Sequence, residues 1–311
     1  MFIKIALIVL AILIILSLVI MIVVSRYLAN NFLCRQEYDL DKEKYAQSCE
    51  LYGVDLEWLK DKDVTDLCFR SSDDTKLSGI YIKNPSGINK VAILHHGFNC
   101  DHTGMISYAK MYYEMGYNIL MNDSRCSGKS EGNHITFGER ESKDLYKWID
   151  QIVFMNGKDV KIVLHGVSMG AATCCLCSQY DISRNVKAIV SDCSYSSFYD
   201  QCVHKLSEKM PKFVSQILTF WGFVGTIVFY GVNLFKTNAV KAVSKSTCPM
   251  LFIHGSGDDF VPFAMVDSLY NACNSVKQKY VMEDAVHALS IMHNPTLYKE
   301  AVETFLNEVV K

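Results

Sequence analysis

The longest uninterrupted apolar run of the chain lies at its start. Residues Ile5–Val24 include a single polar side chain, Ser17. A helix of this length rises about 30 Å, the thickness of a bilayer's hydrocarbon layer. A cleaved signal peptide is the alternative, but its apolar region usually has about 7–15 residues and ends in small ones. Because Ser25-Arg26-Tyr27 follows here, we predict that residues 1–26 form one transmembrane anchor, with residues 5–24 in the lipid bilayer.

A charged stretch follows the apolar run. Within residues 37–62, apolar side chains recur at helical spacing, at Leu51, Val54, Trp58 and Leu59. This period is typical of an amphipathic helix. We therefore assign residues 27–63 to a juxtamembrane helical segment that links the anchor to the rest of the chain.

From residue 64 onward, short apolar runs alternate with helical stretches. The runs are Val64–Phe69, Leu77–Ile82, Val91–Leu94, Asn118–Met121, Val160–Leu164, Ala188–Val190, Met250–Ile253 and Tyr280–Met282. The helical stretches are Met105–Met115, Arg140–Met155, Ala171–Tyr180, Ala264–Cys273 and Thr296–Val310. Such alternation predicts one α/β domain over residues 64–311, with a mostly parallel eight-stranded sheet and helices on both faces.

An insertion over residues 199–247 separates two of these strands, and Phe213–Phe235 within it is very apolar. A second membrane span is one interpretation. However, polar side chains interrupt the segment, and a span there would split the sheet across a bilayer. We therefore interpret the insertion as a short helical lid over the site. Phe213, Phe220 and Trp221 of this segment are candidate substrate contacts.

The composition limits the class of protein. Charged residues make up 21% of the chain, too many for a polytopic membrane protein, and the formal net charge is −2. A near-neutral chain exerts no long-range attraction on nucleic acid. Lys and Arg residues after the anchor favour a cytoplasmic domain, and free thiols would persist there. The twelve cysteines also permit six disulfides, so the side of the membrane stays open.

The clearest chemical motif is Gly166-Val-Ser168-Met-Gly170, which lies between a predicted strand and a predicted helix. In this context the chain turns sharply at the serine and exposes its hydroxyl above the sheet. A serine hydroxyl is a weak nucleophile until a base removes its proton. We therefore predict that Ser168 is a catalytic nucleophile.

A general base for Ser168 and an acid that orients this base should lie at the same edge of the sheet, where the parallel strands have their carboxyl ends. Among nine histidines, His287 follows the last predicted strand by a few residues and is our candidate base. Asp258 lies in a Gly-rich turn after the strand Met250–Ile253 and is the candidate acid that orients the imidazole. Asp259 and Asp192 are the alternative acids.

Acyl transfer also needs hydrogen-bond donors for the oxyanion. The backbone N–H of Met169, directly after the nucleophile, is one candidate. The other is the N–H of Phe98, in the turn after Val91–Leu94. Cys174 and Cys177 form a Cys-x-x-Cys pair on the helix after Ser168. No second pair at zinc spacing accompanies them, so we interpret them as small buried side chains and expect no metal or cofactor.

From about residue 40 to its end, the chain resembles the α/β-hydrolase superfamily, most of all the membrane-anchored bacterial hydrolases near the serine-aminopeptidase-like and Bem46-like groups. The matching motifs are His96-Gly97-Phe98, Asp123-Ser-Arg125-Cys-Ser-Gly128-Lys-Ser130-Glu-Gly132, Gly166-Val-Ser168-Met-Gly170, Ser191-Asp192-Cys-Ser-Tyr195-Ser-Ser, His254-Gly255-Ser-Gly-Asp258-Asp-Phe-Val261-Pro262 and His287-Ala. The resemblance implies Ser168, Asp258 and His287 as the triad, and Phe98 and Met169 as oxyanion donors. Cys126 departs from the pattern, which usually has Gly there.

The sequence thus predicts a serine hydrolase that cleaves a carboxylic ester, of a small molecule or a lipid, through an acyl-enzyme. A peptidase or amidase of the serine-aminopeptidase-like type is one alternative, and it would need a carboxylate for the substrate amine. A catalytically silent, membrane-tethered binding protein is another, but an intact triad argues against it. Neither a protein partner nor nucleic acid is implied.

Overall fold

The computed structural model describes residues 1–34, 55–86, 89–182 and 184–310. Leu51 and Val54 of the predicted juxtamembrane helix lie outside these residues, and Leu56–Leu59 forms a short 3-10 helix. The ring of Trp58 in this turn packs edge-on against Tyr113, with centroids 5.5 Å apart. The juxtamembrane and domain boundaries stay predictions.

Eight strands form a single sheet. In chain order they are β1 (Asp63–Arg70), β2 (Lys76–Lys83), β3 (Lys90–His95), β4 (Asn118–Asn122), β5 (Lys161–Val167), β6 (Val186–Asp192), β7 (Met250–Gly255) and β8 (Lys277–Met282). Their spatial order is β1-β2-β4-β3-β5-β6-β7-β8. Strand β2 is antiparallel to β1 and β4, and all other neighbours are parallel. The predicted sheet is confirmed, and each predicted strand end lies within three residues of the observed one.

The α-helices of the described residues are α1 (Phe2–Leu28), α2 (Ile106–Glu114), α3 (Glu141–Asn156), α4 (Met169–Cys177), α5 (Phe198–Ser207), α6 (Lys212–Tyr230), α7 (Ala239–Val243), α8 (Ala264–Ala272), α9 (Ser290–His293) and α10 (Pro295–Val309). Helices α2 and α10 cover one face of the sheet, and α3, α4, α7 and α8 cover the other. The predicted two-faced arrangement is therefore confirmed.

Large buried side chains anchor the helices to the sheet on both faces. Tyr112 and Tyr298 lie in the core of one face, and Trp148 and Phe252 lie in the core of the other. Full burial of an apolar side chain of this size contributes about 2–3 kcal/mol. These cores hold the strand ends, and the loops that follow them, in a fixed relation.

Two helices of the described chain are long and apolar enough to cross a membrane, Phe2–Leu33 and Lys212–Tyr230. The first comprises α1 and a π-helical turn, Ala29–Leu33, that continues it without a break. Leu33 is fully buried, and its carbonyl accepts a hydrogen bond from the Ile135 N–H at 2.7 Å. The apolar helix is therefore joined directly to the core of the sheet-bearing domain.

Candidate active site

Ser168 lies at the sharp turn between β5 and α4. Its backbone has φ 55° and ψ −116°, a left-handed conformation that costs a non-glycine residue energy. The turn is tight because a side chain at Gly166 would overlap the backbone of Gly170. A side chain at Gly170 would in turn meet the backbone carbonyls of β3's last residue and the residue after it. The strained turn directs the Ser168 hydroxyl above the carboxyl ends of the strands.

The structure brings the other two predicted residues to this hydroxyl. His287 lies in the loop after β8, and its Nε2 is 2.9 Å from Ser168 Oγ. On the other side of the ring, Nδ1 is 2.7 Å from Asp258 Oδ2, in the loop after β7. The two loops pack so closely that any side chain at Gly255 would overlap the backbone of Ala285.

The Asp258 carboxylate is held by four donors. Its Oδ1 accepts from the N–H groups of Phe260 at 3.0 Å and Val261 at 2.8 Å. Its Oδ2 lies 2.7 Å from His287 Nδ1 and 3.3 Å from Nε2 of His254, which is fully buried. Burial alone would raise the pKa of Asp258, but the hydrogen bonds from His254 and His287 keep this pKa well below its usual range. The carboxylate therefore stays ionised beside the imidazole.

The alternative acids lie elsewhere. Asp259 is exposed. Asp192 is fully buried, and its Oδ2 accepts a hydrogen bond from the Tyr298 hydroxyl at 2.9 Å. That hydroxyl lies 3.0 Å from Nε2 of His165. Burial raises the pKa of Asp192 to about 6, against the hydrogen bond from Tyr298. Asp192 belongs to a buried polar network beneath the site.

The predicted oxyanion donors flank the nucleophile. A Cβ on Gly97 would lie 3.5 Å from the Ser168 Cβ, so the turn before Phe98 lies against the serine. Within the described residues, the N–H groups of Phe98 and Met169 donate to no hydrogen bond. Both are thus free to bind an oxyanion. Cys126 adopts φ 63°, so this loop keeps the conformation that a glycine would take.

An apolar cavity of about 420 Å³ opens above Ser168 and His287. Its other walls include Phe32, Phe98, Met105, Tyr108, Phe260, Ile291 and Met292. Phe32 belongs to the turn that continues α1, and its ring lies 6.1 Å from that of Phe98. Sequence reasoning missed Phe32, Phe260 and Met292, because no local motif marks a side chain that reaches the site from a distant element.

The candidate lid contacts do not line this cavity. Phe213 and Phe220 project from the outer surface of α6, with 64% and 46% of their area exposed. Trp221 faces α1, where it borders a groove with Leu13 and Ser17. The structure therefore does not bring these three side chains to Ser168, and their role as substrate contacts stays a prediction.

In the part of the chain that the structure describes, one group of three side chains has the spacing of metal ligands: Cys193, Asp258 and His287. Burial raises the pKa of the Cys193 thiol far above its usual value. A protonated thiol is a poor ligand, and the other two side chains already bind each other. The donor set does not suit a metal ion.

Comparisons with known proteins place this geometry in context. The model of the X-Pro dipeptidyl-peptidase (S15) family matches residues 33–212. The uncharacterized protein YqkD of Bacillus subtilis is 26% identical over 72% of this chain and 73% of its own length. The uncharacterized protein YfhR of Escherichia coli K12 is 24% identical over 76% of this chain and 78% of its own.

Solved structures share the fold. The Pyrococcus furiosus esterase Pf2001 superposes with a TM-score of 0.64, at 23% identity, over 80% of this chain and 94% of the esterase. The esterase EaEST of Exiguobacterium antarcticum gives a TM-score of 0.58, at 16% identity, over 77% of this chain and 98% of its own. These matches do not distinguish the serine-aminopeptidase-like from the Bem46-like group, and that subgroup assignment stays a prediction. The fold is that of the α/β-hydrolases, and because the family match covers more than half of the chain, the protein belongs to the X-Pro dipeptidyl-peptidase (S15) family of hydrolases.

Proposed function

We propose that the protein is a membrane-anchored serine hydrolase that cleaves carboxylic esters with an apolar acyl group. The observation that carries this proposal is the hydrogen-bond chain from Ser168 through His287 to Asp258, at the base of an apolar cavity. In the proposed topology, α1 is a single-pass anchor, and the domain lies on one side of the bilayer.

The geometry supports an acyl-enzyme mechanism. His287 Nδ1–H donates to Asp258, so Nε2 is free to take the Ser168 proton as Oγ attacks the ester carbonyl. The N–H groups of Phe98 and Met169 bind the oxyanion, each worth about 3 kcal/mol in the transition state. The imidazolium gives its proton to the leaving alcohol. Water then loses a proton to His287, attacks the acyl-enzyme and releases the acid and free Ser168.

The cavity favours an uncharged substrate. None of the side chains that line it, within the described residues, is Asp, Glu, Lys or Arg. Its walls are mostly aromatic and aliphatic, with Asn99 and His96 among the polar exceptions, and its volume of about 420 Å³ is in the range of small-molecule sites. An apolar acyl chain would bury its methylene groups against these walls. We therefore assign the cavity to the acyl side of an ester.

A peptidase or amidase is the second candidate, and the family match favours it. A free amino terminus of a peptide would need a carboxylate in the cavity. Glu131 and Asp200 do not line the cavity, and both have other partners. Glu131 accepts from the Lys76 N–H at 3.3 Å, and Asp200 accepts from the Ser197 hydroxyl at 2.6 Å. The lining thus supports the esterase over the aminopeptidase. The intact hydrogen-bond chain likewise supports an enzyme over a silent binding protein.

The test uses the full-length protein in detergent. A fluorophosphonate probe should label the wild type and the Ser268→Ala control, whose serine lies on the surface of α8, but not Ser168→Ala. The kcat/KM for p-nitrophenyl esters should rise at least about tenfold from acetate to octanoate, since each buried methylene is worth about 0.8 kcal/mol. Faster turnover of aminoacyl p-nitroanilides would favour the peptidase. A folded wild type that is not labelled and turns over none of these substrates would favour the catalytically silent binding protein.

A further inference from the structure

Helix α6 places its apolar and polar side chains in the opposite way to a helix that covers a water-soluble domain. Its exposed side chains are large and apolar: Phe213, Ile217, Phe220, Ile227, Val228 and Phe229. Its buried side is built mostly from small or hydroxyl-bearing residues: Ser215, Thr219, Gly222, Gly225 and Thr226, with Phe223. Residues 213–230 include no charged side chain. In water, an amphipathic helix turns its apolar stripe inward, so this arrangement indicates an apolar solvent on the outer side.

The buried side of α6 packs directly on α1. A Cβ at Gly222 would lie 2.6 Å from Val24 Cγ1, and a Cβ at Gly225 would lie 2.6 Å from the Ser25 Cβ and 2.7 Å from the Met21 carbonyl. The two backbones therefore approach as closely as glycine allows. Small residues that bring backbones together are typical of helix pairs inside membranes.

The position of the contact between α1 and α6 indicates which apolar surroundings the outer side of α6 meets. Residues 5–16 of α1 are all apolar and all exposed, and α1 is long enough to cross a bilayer. Helix α6 joins α1 along its carboxyl-terminal half, and Trp221 extends to Leu13, Ser17 and Leu18. The apolar stripe of α6 is thus continuous with the apolar surface of α1, so both surfaces meet the same surroundings.

The connections of α6 show how deep it can lie. At one end it is tied to α5, where the Tyr199 hydroxyl donates to the Gln216 carbonyl at 3.1 Å. At the other end, Leu234 is fully buried, and the Thr237 carbonyl accepts from the Phe198 N–H at 3.0 Å. Both ends therefore return to the same domain, and α6 does not carry the chain across a membrane. Exposed lysines near its ends, at Lys209, Lys212 and Lys236, suit the phosphate level of a leaflet.

We propose that α6 is a leaflet-embedded helix: it lies beside the carboxyl-terminal half of α1, with its apolar stripe in the acyl chains of the leaflet that faces the domain. The partner of this surface is the lipid bilayer itself. Two helices, rather than α1 alone, then fix the orientation of the domain on the membrane. This proposal is independent of whether Ser168 is catalytic.

The experiment uses the full-length protein in phosphatidylcholine–phosphatidylglycerol vesicles. Phe220→p-benzoylphenylalanine places a photo-crosslinker on the stripe, and the matched control is Phe154→p-benzoylphenylalanine on the exposed surface of α3. Illumination should give severalfold more phospholipid adduct at position 220 than at 154, as measured by mass spectrometry. Equal yields at the two positions, or adducts at 220 to a second copy of the chain, would overturn the proposal.

A second measurement needs no unnatural residue. The chain has three tryptophans: Trp148 is fully buried in the core and Trp58 packs on Tyr113, so only Trp221 should be quenched by lipids with brominated acyl chains. Trp221→Phe should abolish most of the quenching, and Trp58→Phe should leave it intact. Quenching that persists in Trp221→Phe would contradict an embedded α6. Circular dichroism and gel-filtration profiles establish that each variant is folded.

Discussion

His254 lies 3.3 Å from Asp258, measured from Nε2 to the same Oδ2 atom that His287 contacts from the solvent side at 2.7 Å. The Nε2–H of His254 also reaches the Val261 carbonyl at 3.0 Å, while its Nδ1 has no partner among the described residues. Two imidazoles therefore share one carboxylate oxygen. We therefore expect His254 to act as a positioning residue for the acid of the proposed triad.

Removal of His254 should weaken turnover more than binding. A hydrogen bond to a charged group is worth about 1.5–3 kcal/mol, so His254→Ala should lower kcat for p-nitrophenyl butyrate by about tenfold or more, with KM nearly unchanged. His254→Gln, whose amide N–H can replace the Nε2 donor, should recover much of the loss. An unchanged kcat in His254→Ala, or an equal loss in both variants, would show that this contact only fills space.

The contact between α1 and α6 should be sensitive to side-chain size at Gly225. Because this residue touches Ser25 and the Met21 carbonyl, Gly225→Leu must push the helices apart, and overpacking typically costs about 1–3 kcal/mol. We expect a lower melting temperature in detergent and an altered emission maximum of Trp221. Val228→Leu enlarges an exposed residue of the same helix and serves as the control. Equal melting temperatures for the two variants would argue against close packing.

The buried Asp192 should make stability depend on pH between about 4 and 6. Burial raises the pKa of Asp192 from 3.8 to about 6 in the folded protein. The folded state therefore holds this proton at pH values where the unfolded chain has lost it, and the contribution to stability falls as the pH rises through this window. The loss amounts to about 3 kcal/mol, since one pKa unit is worth about 1.4 kcal/mol.

Asp192→Asn tests this dependence. The amide oxygen can still accept from the Tyr298 hydroxyl, but the side chain no longer titrates. Melting temperatures measured at pH 4, 5, 6 and 7 should decline less steeply in Asp192→Asn than in the wild type. Asp259→Asn, at an exposed acid in the loop after β7, should leave the wild-type slope unchanged. A wild type whose slope matches that of Asp192→Asn would contradict the assignment.

The cysteines should separate into reactive and inert sets. Cys68, Cys174 and Cys175 are free thiols. Cys68 is exposed, whereas burial raises the pKa of the Cys175 thiol to about 12 and also raises that of Cys174. Brief maleimide treatment of the native protein at pH 7 should therefore label Cys68 and spare Cys174 and Cys175, which should react only after denaturation. Native labelling of the α4 thiols would show that this helix opens.

The strand pattern and the sharp turn at Ser168 could be predicted from the sequence because both are local. Each buried strand is a short apolar run, and the turn at Ser168 needs glycine on either side for steric reasons that Gly166 and Gly170 satisfy. His287 and Asp258 followed from the rule that the carboxyl ends of parallel strands share one edge. The structure then brings all three side chains within hydrogen-bond distance.

The remaining features depend on contacts that no local pattern records. Phe32 reaches the cavity because α1 continues into the domain core through Leu33, and the spacing of apolar residues does not show where a helix docks. The sequence also does not show which face of α6 points outward, because its composition is the same whether Phe220 or Thr219 is exposed. No local pattern shows which side chain His254 contacts. Its contact with Asp258 follows from the fold of the loop after β7.

Under the proposed function, the continuous helix from α1 through Phe32 to the cavity wall would have a kinetic consequence. An enzyme fastened in this way meets a lipophilic ester by lateral diffusion, and the relevant substrate concentration is a mole fraction in the leaflet. Added detergent or inert phospholipid would then slow turnover by surface dilution, even at constant bulk substrate concentration. Under the proposed function, the rates of this protein would be best expressed per unit of membrane area.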